Sequence, residues 1–275
     1  TVFVEKENVL EKWLCENCLS VNKEIVSKIL DNISLKERED FLNPPMPYRR
    51  EDVYPWRFNR EYSFVRRPLI KRGDDIIWGN RQLYHMILYL YDLINQERLR
   101  ARSSELKQLL GKISEDRGNE FNDLIFRIIQ DFDSFIVKSN IKKVNGIYIS
   151  DENNNSLGDI DILIIDNEYK MLVVVEVKDF RFSRNPYEMN LEFQKMFVDS
   201  KKKKSFVTKH SKRVEWIKKH VADVLCEYKL DSDEWKVIGM FIVNEPLMSN
   251  SIYCKGLNVI SKMELSVERI REMYK

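Results

Sequence analysis

The stretch Gly158-Asp159-Ile160-Asp161-Ile162-Leu163-Ile164-Ile165-Asp166-Asn167-Glu168-Tyr169-Lys170-Met171-Leu172-Val173-Val174-Val175-Glu176-Val177-Lys178 decides the fold. Two apolar, β-branched runs flank a short polar segment, which is the pattern of a tight hairpin. With Glu168 and Tyr169 as turn residues, counting outward sets Asp166 opposite Met171 and, at the open end, Asp161 opposite Glu176. Directly opposed residues hold their Cβ atoms about 4.5–5.5 Å apart. Two carboxylates that close repel, and one is driven toward protonation unless a cation lies between them. Lys178, two residues past Glu176, shares its face, as Asp159 shares that of Asp161. Leu172 to Val175 is apolar throughout, as in a central strand covered on both sides. The plain alternative is a surface hairpin end on which Lys178 neutralises its neighbours. Charged groups at the end of a covered strand are costly unless paired or used, and this speaks against it.

Outward from the hairpin, the pattern predicts a helix over 114–131, strands over 134–138 and 146–150, and a polar loop over 151–156. After it come a lysine-rich helical region over 188–228, strands over 235–243 and 257–260, and a terminal helix over 265–274. This order is that of an α/β sandwich. Toward the N-terminus, Val9, Leu10, Trp13, Leu14 and then Val21, Ile25, Ile29, Leu30 recur at helical spacing, until Asn43-Pro44-Pro45-Met46-Pro47 ends regular helix. A hairpin-like pattern spans 64–78, and a helix is expected over 81–100. Residues 1–100 are thus read as a mainly helical N-terminal region, a recognition or partner module with no assignable motif, and 101–275 as a second domain.

Composition bounds the function. Lys+Arg 46 against Asp+Glu 44 gives +2, so affinity for nucleic acid has to come from where charge sits. No apolar run approaches the roughly 20 residues of a membrane span, and the chain is expected to be cytoplasmic. It starts Thr1-Val2-Phe3 with neither an initiator Met nor a signal pattern, the start expected of a fragment. Cys15 and Cys18 have C-x-x-C spacing, but Cys226 and Cys254 are too remote to complete a zinc site, and two cysteines on a short helix is the preferred reading. Gly111-Lys112 lacks the rest of a phosphate-binding loop, and His85, His210 and His220 lack zinc-protease spacing.

Upstream, Arg117-Gly118-Asn119-Glu120-Phe121 opens an amphipathic helix with an acid near its start. A helix bearing a Glu, a Gly-x-Ile-Asp strand and a Glu-x-Lys strand together resemble the PD-(D/E)XK nuclease superfamily, with Ile160 standing where the family name has Pro. The resemblance covers roughly residue 114 to the C-terminus. It implies a restriction-endonuclease-like sandwich, a central mixed β-sheet flanked by helices, and a catalytic set of Asp161, Glu176, Lys178 and Glu120. It further implies that Asp161, Glu176, the carbonyl of Val177 and Glu120 hold Mg²⁺ or Mn²⁺, hard cations suited to oxygen ligands, while Lys178 orients and helps deprotonate the attacking water. Asp159 is the competing metal ligand.

Beyond the hairpin, Lys195, Lys201, Lys202, Lys203, Lys204, Lys209, Lys212 and Arg213 concentrate positive charge opposed chiefly by Asp199 and Glu215. These are read as nucleic-acid-binding residues contacting phosphates. A second basic stretch, from Tyr48 to Arg72, interleaves arginines with Tyr54, Trp56, Phe58, Tyr62 and Phe64. It suits base stacking or a core with a snorkelling rim equally well. The expected activity is metal-dependent hydrolysis of phosphodiester bonds, by a DNA endonuclease of restriction, defence or repair. A non-catalytic nucleic-acid-binding or scaffold module and the effector domain of a larger defence protein are the rivals. DNA is the expected partner, no membrane is, and a homodimer or larger complex stays open.

Overall fold

A computed structural model describes residues 1–17, 22–57, 60–183, 185–201, 203–231, 234–253 and 257–274. The chain forms two compact units, Thr1–Ser114 and Glu115–Lys275.

The first unit contains strands β1 (Val2–Lys6), β2 (Ser34–Lys36), β3 (Leu69–Arg72) and β4 (Asp75–Gly79), and helices α1 (Glu7–Asn17), α2 (Lys23–Ile33) and α3 (Asn80–Asn95). Its sheet has the order β1-β4-β3-β2. Helix exceeds strand in this unit, and β3 and β4 fall within the hairpin-like pattern read over 64–78, but the helical spacing does not anticipate β1 and β2: β1 lies antiparallel to β4, Val2 opposite Gly79, and β2 runs parallel to β3. Strands this short, paired with distant segments, leave almost no periodic signal in a sequence. Val26, Leu30, Leu69 and Ile76 form the core between helices and sheet.

Part of the basic-aromatic stretch is buried in this unit, while Trp56 and Phe64 are exposed. Arg67 is buried, donates to the carbonyls of Asp31 (2.9 Å) and Ser34 (3.1 Å) and to the Tyr48 hydroxyl, and lies over the rings of Tyr48 and Tyr62. Arg102 stacks over Tyr48 and pairs with Glu61. Of the two readings left open for this stretch, core and rim describes these residues. Phe58 lies outside the described residues.

The division between units falls inside helix α4 (Ser104–Gln130), which begins ten residues before the predicted start. The second unit continues with β5 (Ile136–Ile141), a small hairpin of β6 (Lys143–Val144) and β7 (Ile147–Tyr148), then β8 (Ile160–Asp166) and β9 (Met171–Lys178). Helices α5 (Pro186–Phe197), α6 (Phe206–Lys219) and α7 (Val221–Tyr228) follow, then β10 (Lys236–Val243), α8 (Met248–Tyr253), β11 (Val259–Ser261) and α9 (Val267–Glu272). The predicted lysine-rich helical region is thus three helices. Lys201, Lys203 and Lys204 sit in the connection before α6, where Asp199 accepts from the Ser205 amide (2.9 Å) and pairs with Lys204 (2.9 Å). Ser205 then caps α6 by accepting from the Thr208 amide (3.1 Å).

The mixed sheet has the order β11-β10-β9-β8-β5, with β8 antiparallel to both neighbours and β10 parallel to β9 and β11. Asp166 pairs with Met171 and Ile162 with Val175, the register counted from the turn. Alternate residues go to opposite faces. Leu163, Ile165, Leu172 and Val174 pack with Val214, Trp216 and Ile217 of α6 and with α7. Ile162, Ile164, Val173, Val175 and Val177 pack with Phe121, Ile125 and Ile129 of α4 and with Ile270 of α9. The second unit is a three-layer α/β structure. At the closed end of the hairpin, buried Asp166 accepts from the Glu168 amide (3.1 Å), Arg271 (2.9 Å) and Tyr274 (3.1 Å), tying the turn to the C-terminal segment.

Candidate active site

Strand parity aims three of the four expected catalytic side chains at one place. Asp161 continues the row of Leu163 and Ile165; Glu176 and Lys178 continue that of Leu172 and Val174, all on the α6 face. Continuing the register beyond Ile162–Val175 sets Asp161 across from Glu176.

Lys178 Nζ sits among three oxygens: Glu176 Oε1 at 2.8 Å, the Val177 carbonyl at 2.9 Å and Asp161 Oδ2 at 3.3 Å. Asp161 Oδ2 also accepts from the Val177 amide at 2.8 Å. The second Glu176 oxygen, Oε2, takes the guanidinium of Arg213, which also donates to the Asp159 carbonyl at 2.7 Å. Glu176 is only 3% exposed. Burial, and then the neighbouring Glu176 charge, raises the Asp161 carboxyl above its ordinary range despite Lys178, the Val177 amide and Arg213. For Lys178, burial works downward but the two carboxylates outweigh it, and the amine is held above its ordinary value, as an ammonium.

Glu120 is not brought to this cluster. It is exposed on α4, whose apolar residues pack on the other face of the sheet. Among the described residues, no three His, Cys, Asp or Glu side chains gather as a metal site. The α4 residue that reaches the end of β9 is Arg117, which pairs with Asp179. Asp159 is half-exposed and 3.8 Å from Lys142, away from the carboxylate pair.

Arg213, grouped by sequence with the phosphate-contacting lysines, is instead buried and turned onto Glu176. His210 is its neighbour and had no assigned role. Its ring is 3% exposed, edge-on to Phe241, with Nδ1 3.9 Å from Glu176 Oε2 and neither nitrogen hydrogen-bonded within the described residues. Burial, and then the Arg213 charge, lowers its pKa to about 3, so the imidazole is neutral. Gly239 of β10 permits this approach, since a Cβ there would lie 2.9 Å from His210 Nε2. A signal for both residues exists: positions 210, 213, 214 and 217 form the inward stripe of α6, and two of the four are His and Arg.

A cavity of about 470 Å³ opens beside the cluster, lined by Glu176, Lys178, Arg213, Lys204, Lys209 and Lys212 among others. Lys195, Lys201 and Lys203 are exposed, with Lys203 6.0 Å from the ring of Phe206, another cavity residue. Lys202 lies outside the described residues, as do Cys18 and Cys254. Cys15 and Cys226 are free thiols.

The fold and site define an α/β protein in which buried Glu176 and half-buried Asp161 form a carboxylate pair, buried Arg213 and half-buried Lys178 lie against it, and a lysine-lined cavity opens beside it. A family model described as Anti-phage protein Upx-like matches residues 2–243, and the chain belongs to that family, which places it in phage defence. The match runs from β1 to the end of β10 and so takes in all of the first unit. No curated protein and no solved structure matches the chain. No helix among the described residues is long and apolar enough to cross a membrane.

Proposed function

We propose that this protein is a metal-dependent nuclease on a restriction-endonuclease-like domain, cutting DNA phosphodiester bonds in phage defence. One observation carries the reading: Asp161 Oδ2, Glu176 Oε1 and the Val177 carbonyl converge on a single cation, the Lys178 ammonium. A donor set of two carboxylates and a carbonyl that already surrounds one positive charge fits a hard divalent cation. Asp161, Glu176 and Val177 would hold it, and Glu120 is left out of the set. When bound, Mg²⁺ or Mn²⁺ would stabilise charge developing on the phosphate and help generate a hydroxide nucleophile.

The chain's own groups supply the rest. Arg213 fixes Glu176 by taking Oε2 and leaves Oε1 facing the cation position. The Val177 amide anchors Asp161 through Oδ2, the same oxygen that faces Lys178. Lys178 is held protonated by two carboxylates against the pull of burial. Carboxylates engaged elsewhere release it toward the neutral amine, the form that can take a proton from water. Lys204, Lys209 and Lys212 hold the neighbouring phosphates.

One observation favours a second reading, a non-catalytic nucleic-acid-binding module: Lys178 and Arg213 together balance the charge of both carboxylates. A cleavage assay over linear, nicked, branched and single-stranded DNA, plus RNA, separates the two. Cutting is expected with Mg²⁺ or Mn²⁺ and is lost in Asp161→Ala and Lys178→Ala. Robust cutting by both variants, or cutting undiminished in excess EDTA, overturns the nuclease reading.

A further inference from the structure

Helix α6 has a second working face. Val207, Ser211, Glu215 and Lys219 form one row at i+4 spacing, and Thr208, Lys212, Trp216 and His220 form the next. Together they make one wall of a groove of about 720 Å³, larger than the cavity at the carboxylates. The opposite wall comes from Ile147, Leu157 and the 150–153 segment, where Asp151 accepts from the Asn153 and Asn155 amides (both 2.9 Å) and so braces the rim. The two spaces share Asp151, Leu157, Thr208 and Lys212, so the groove opens into the cavity that holds Glu176 and Lys178.

We propose that this groove binds the unpaired bases of a single DNA strand whose backbone passes into the carboxylate site. The inference rests on the nuclease reading and adds a substrate class to it. Three features point to this occupant. The walls are mainly apolar, and the half-buried His220 ring, backed by the buried Trp216 at 3.9 Å, is a flat surface on which a base can stack. Lys212 stands where the groove meets the cavity, placed for a phosphate, while Lys219 pairs with Glu152 at 3.5 Å and Asp151 and Glu215 also line the groove, so phosphate contact falls at the cavity end. The groove is continuous with the lysine-lined cavity, so a strand can lie in both at once. A base in a duplex would have to leave its pair and its stack to enter, a cost that a single strand does not bear.

The test is binding of the full chain in EDTA, by fluorescence anisotropy, to a labelled DNA strand, the blunt duplex of the same sequence and the corresponding RNA strand. The single DNA strand is expected to bind at least tenfold more tightly than the duplex. Ser211→Glu, which puts a negative charge into the groove from an exposed position of α6, and Ile147→Glu, from the opposite wall, should each bring that ratio below two. A melting curve for each variant separates a blocked groove from a failure to fold. Equal affinity for strand and duplex, tighter binding of RNA, or unchanged ratios in both folded variants overturns the proposal. The outcomes are separable from those of the cleavage assay. A chain that prefers single strands through this groove but cuts nothing refutes only the nuclease reading, whereas a chain that cuts without that preference refutes only the groove.

Discussion

Arg213 of α6 and Glu176 of β9 form a buried ion pair in which the guanidinium takes one carboxylate oxygen and leaves the other to Lys178. The pair joins the helix that carries the lysines to the strand that carries the carboxylate. Truncating one partner of a buried pair strands the other charge in the interior, at a cost of about 3–5 kcal/mol. Arg213→Ala is therefore expected to lower the urea midpoint markedly, with Arg213→Lys intermediate. A midpoint within error of wild type for Arg213→Ala would refute the role given to this pair.

Under the proposed function the Lys178 ammonium and a divalent cation would compete for the same oxygens. Lys178→Ala removes the ammonium and leaves Asp161, Glu176 and the Val177 carbonyl without it. Mg²⁺ or Mn²⁺ is expected to raise the melting temperature of this variant more than that of wild type, since a ligand stabilises in proportion to its affinity for the folded state. Equal responses in a thermal titration would mean that the ion binds elsewhere.

His210 gives the fold an acid sensitivity of known sign. Its folded-state pKa is depressed to about 3 from an ordinary value of 6.5. Between these values the unfolded chain binds a proton that the folded chain does not. Stability from this group is thus full above 6.5 and is lost as pH falls toward 3, at up to about 1.4 kcal/mol per pH unit. His210→Leu should show a shallower decline of urea stability between pH 6.5 and 4.5 than wild type. Parallel declines would show that the ring does not titrate in this way.

Asp166 closes the hairpin at the end away from the carboxylate cluster and accepts from Arg271 and Tyr274. Asp166→Ala is expected to destabilise by about 1–3 kcal/mol through the lost acceptor, with Arg271 left to Glu168 alone. Under the proposed function, cutting by this variant in Mg²⁺, at a temperature where it is fully folded, should stay within a few-fold of wild type. A selective loss of cutting by a folded variant would tie this end of the hairpin to the chemistry.

Under the proposed function the cavity lysines would contribute phosphate contacts in parallel. Lys204→Ala, Lys209→Ala and Lys212→Ala are each expected to reduce the slope of log affinity against log salt by about one, with little change in stability. Arg67→Ala, in the core of the first unit, should do the reverse: lower stability and leave the salt slope unchanged.

The hairpin was legible from residue order alone, because a polar turn between two β-branched runs fixes both register and parity. Asp161, Glu176 and Lys178 follow from that count, and their shared face is a consequence of it. The mixed α/β order of the second unit was legible where strands are long and apolar, as in β8, β9 and β10, but not at the two-residue β6 and β7. Tertiary structure decided the rest. A sheet has two faces, and nothing in the spacing of α4 says which it covers; α4 packs on the face away from the carboxylates and keeps Glu120 from them. The sheet of the first unit depends on β1 meeting β4 across most of that unit's length, a pairing that no local pattern encodes. Arg213 and His210 look like parts of a basic helix until α6 is laid over Gly239, where the close approach turns them inward onto Glu176. Local spacing thus determined which side chains share a face, and only the packing of distant elements determined what each face meets.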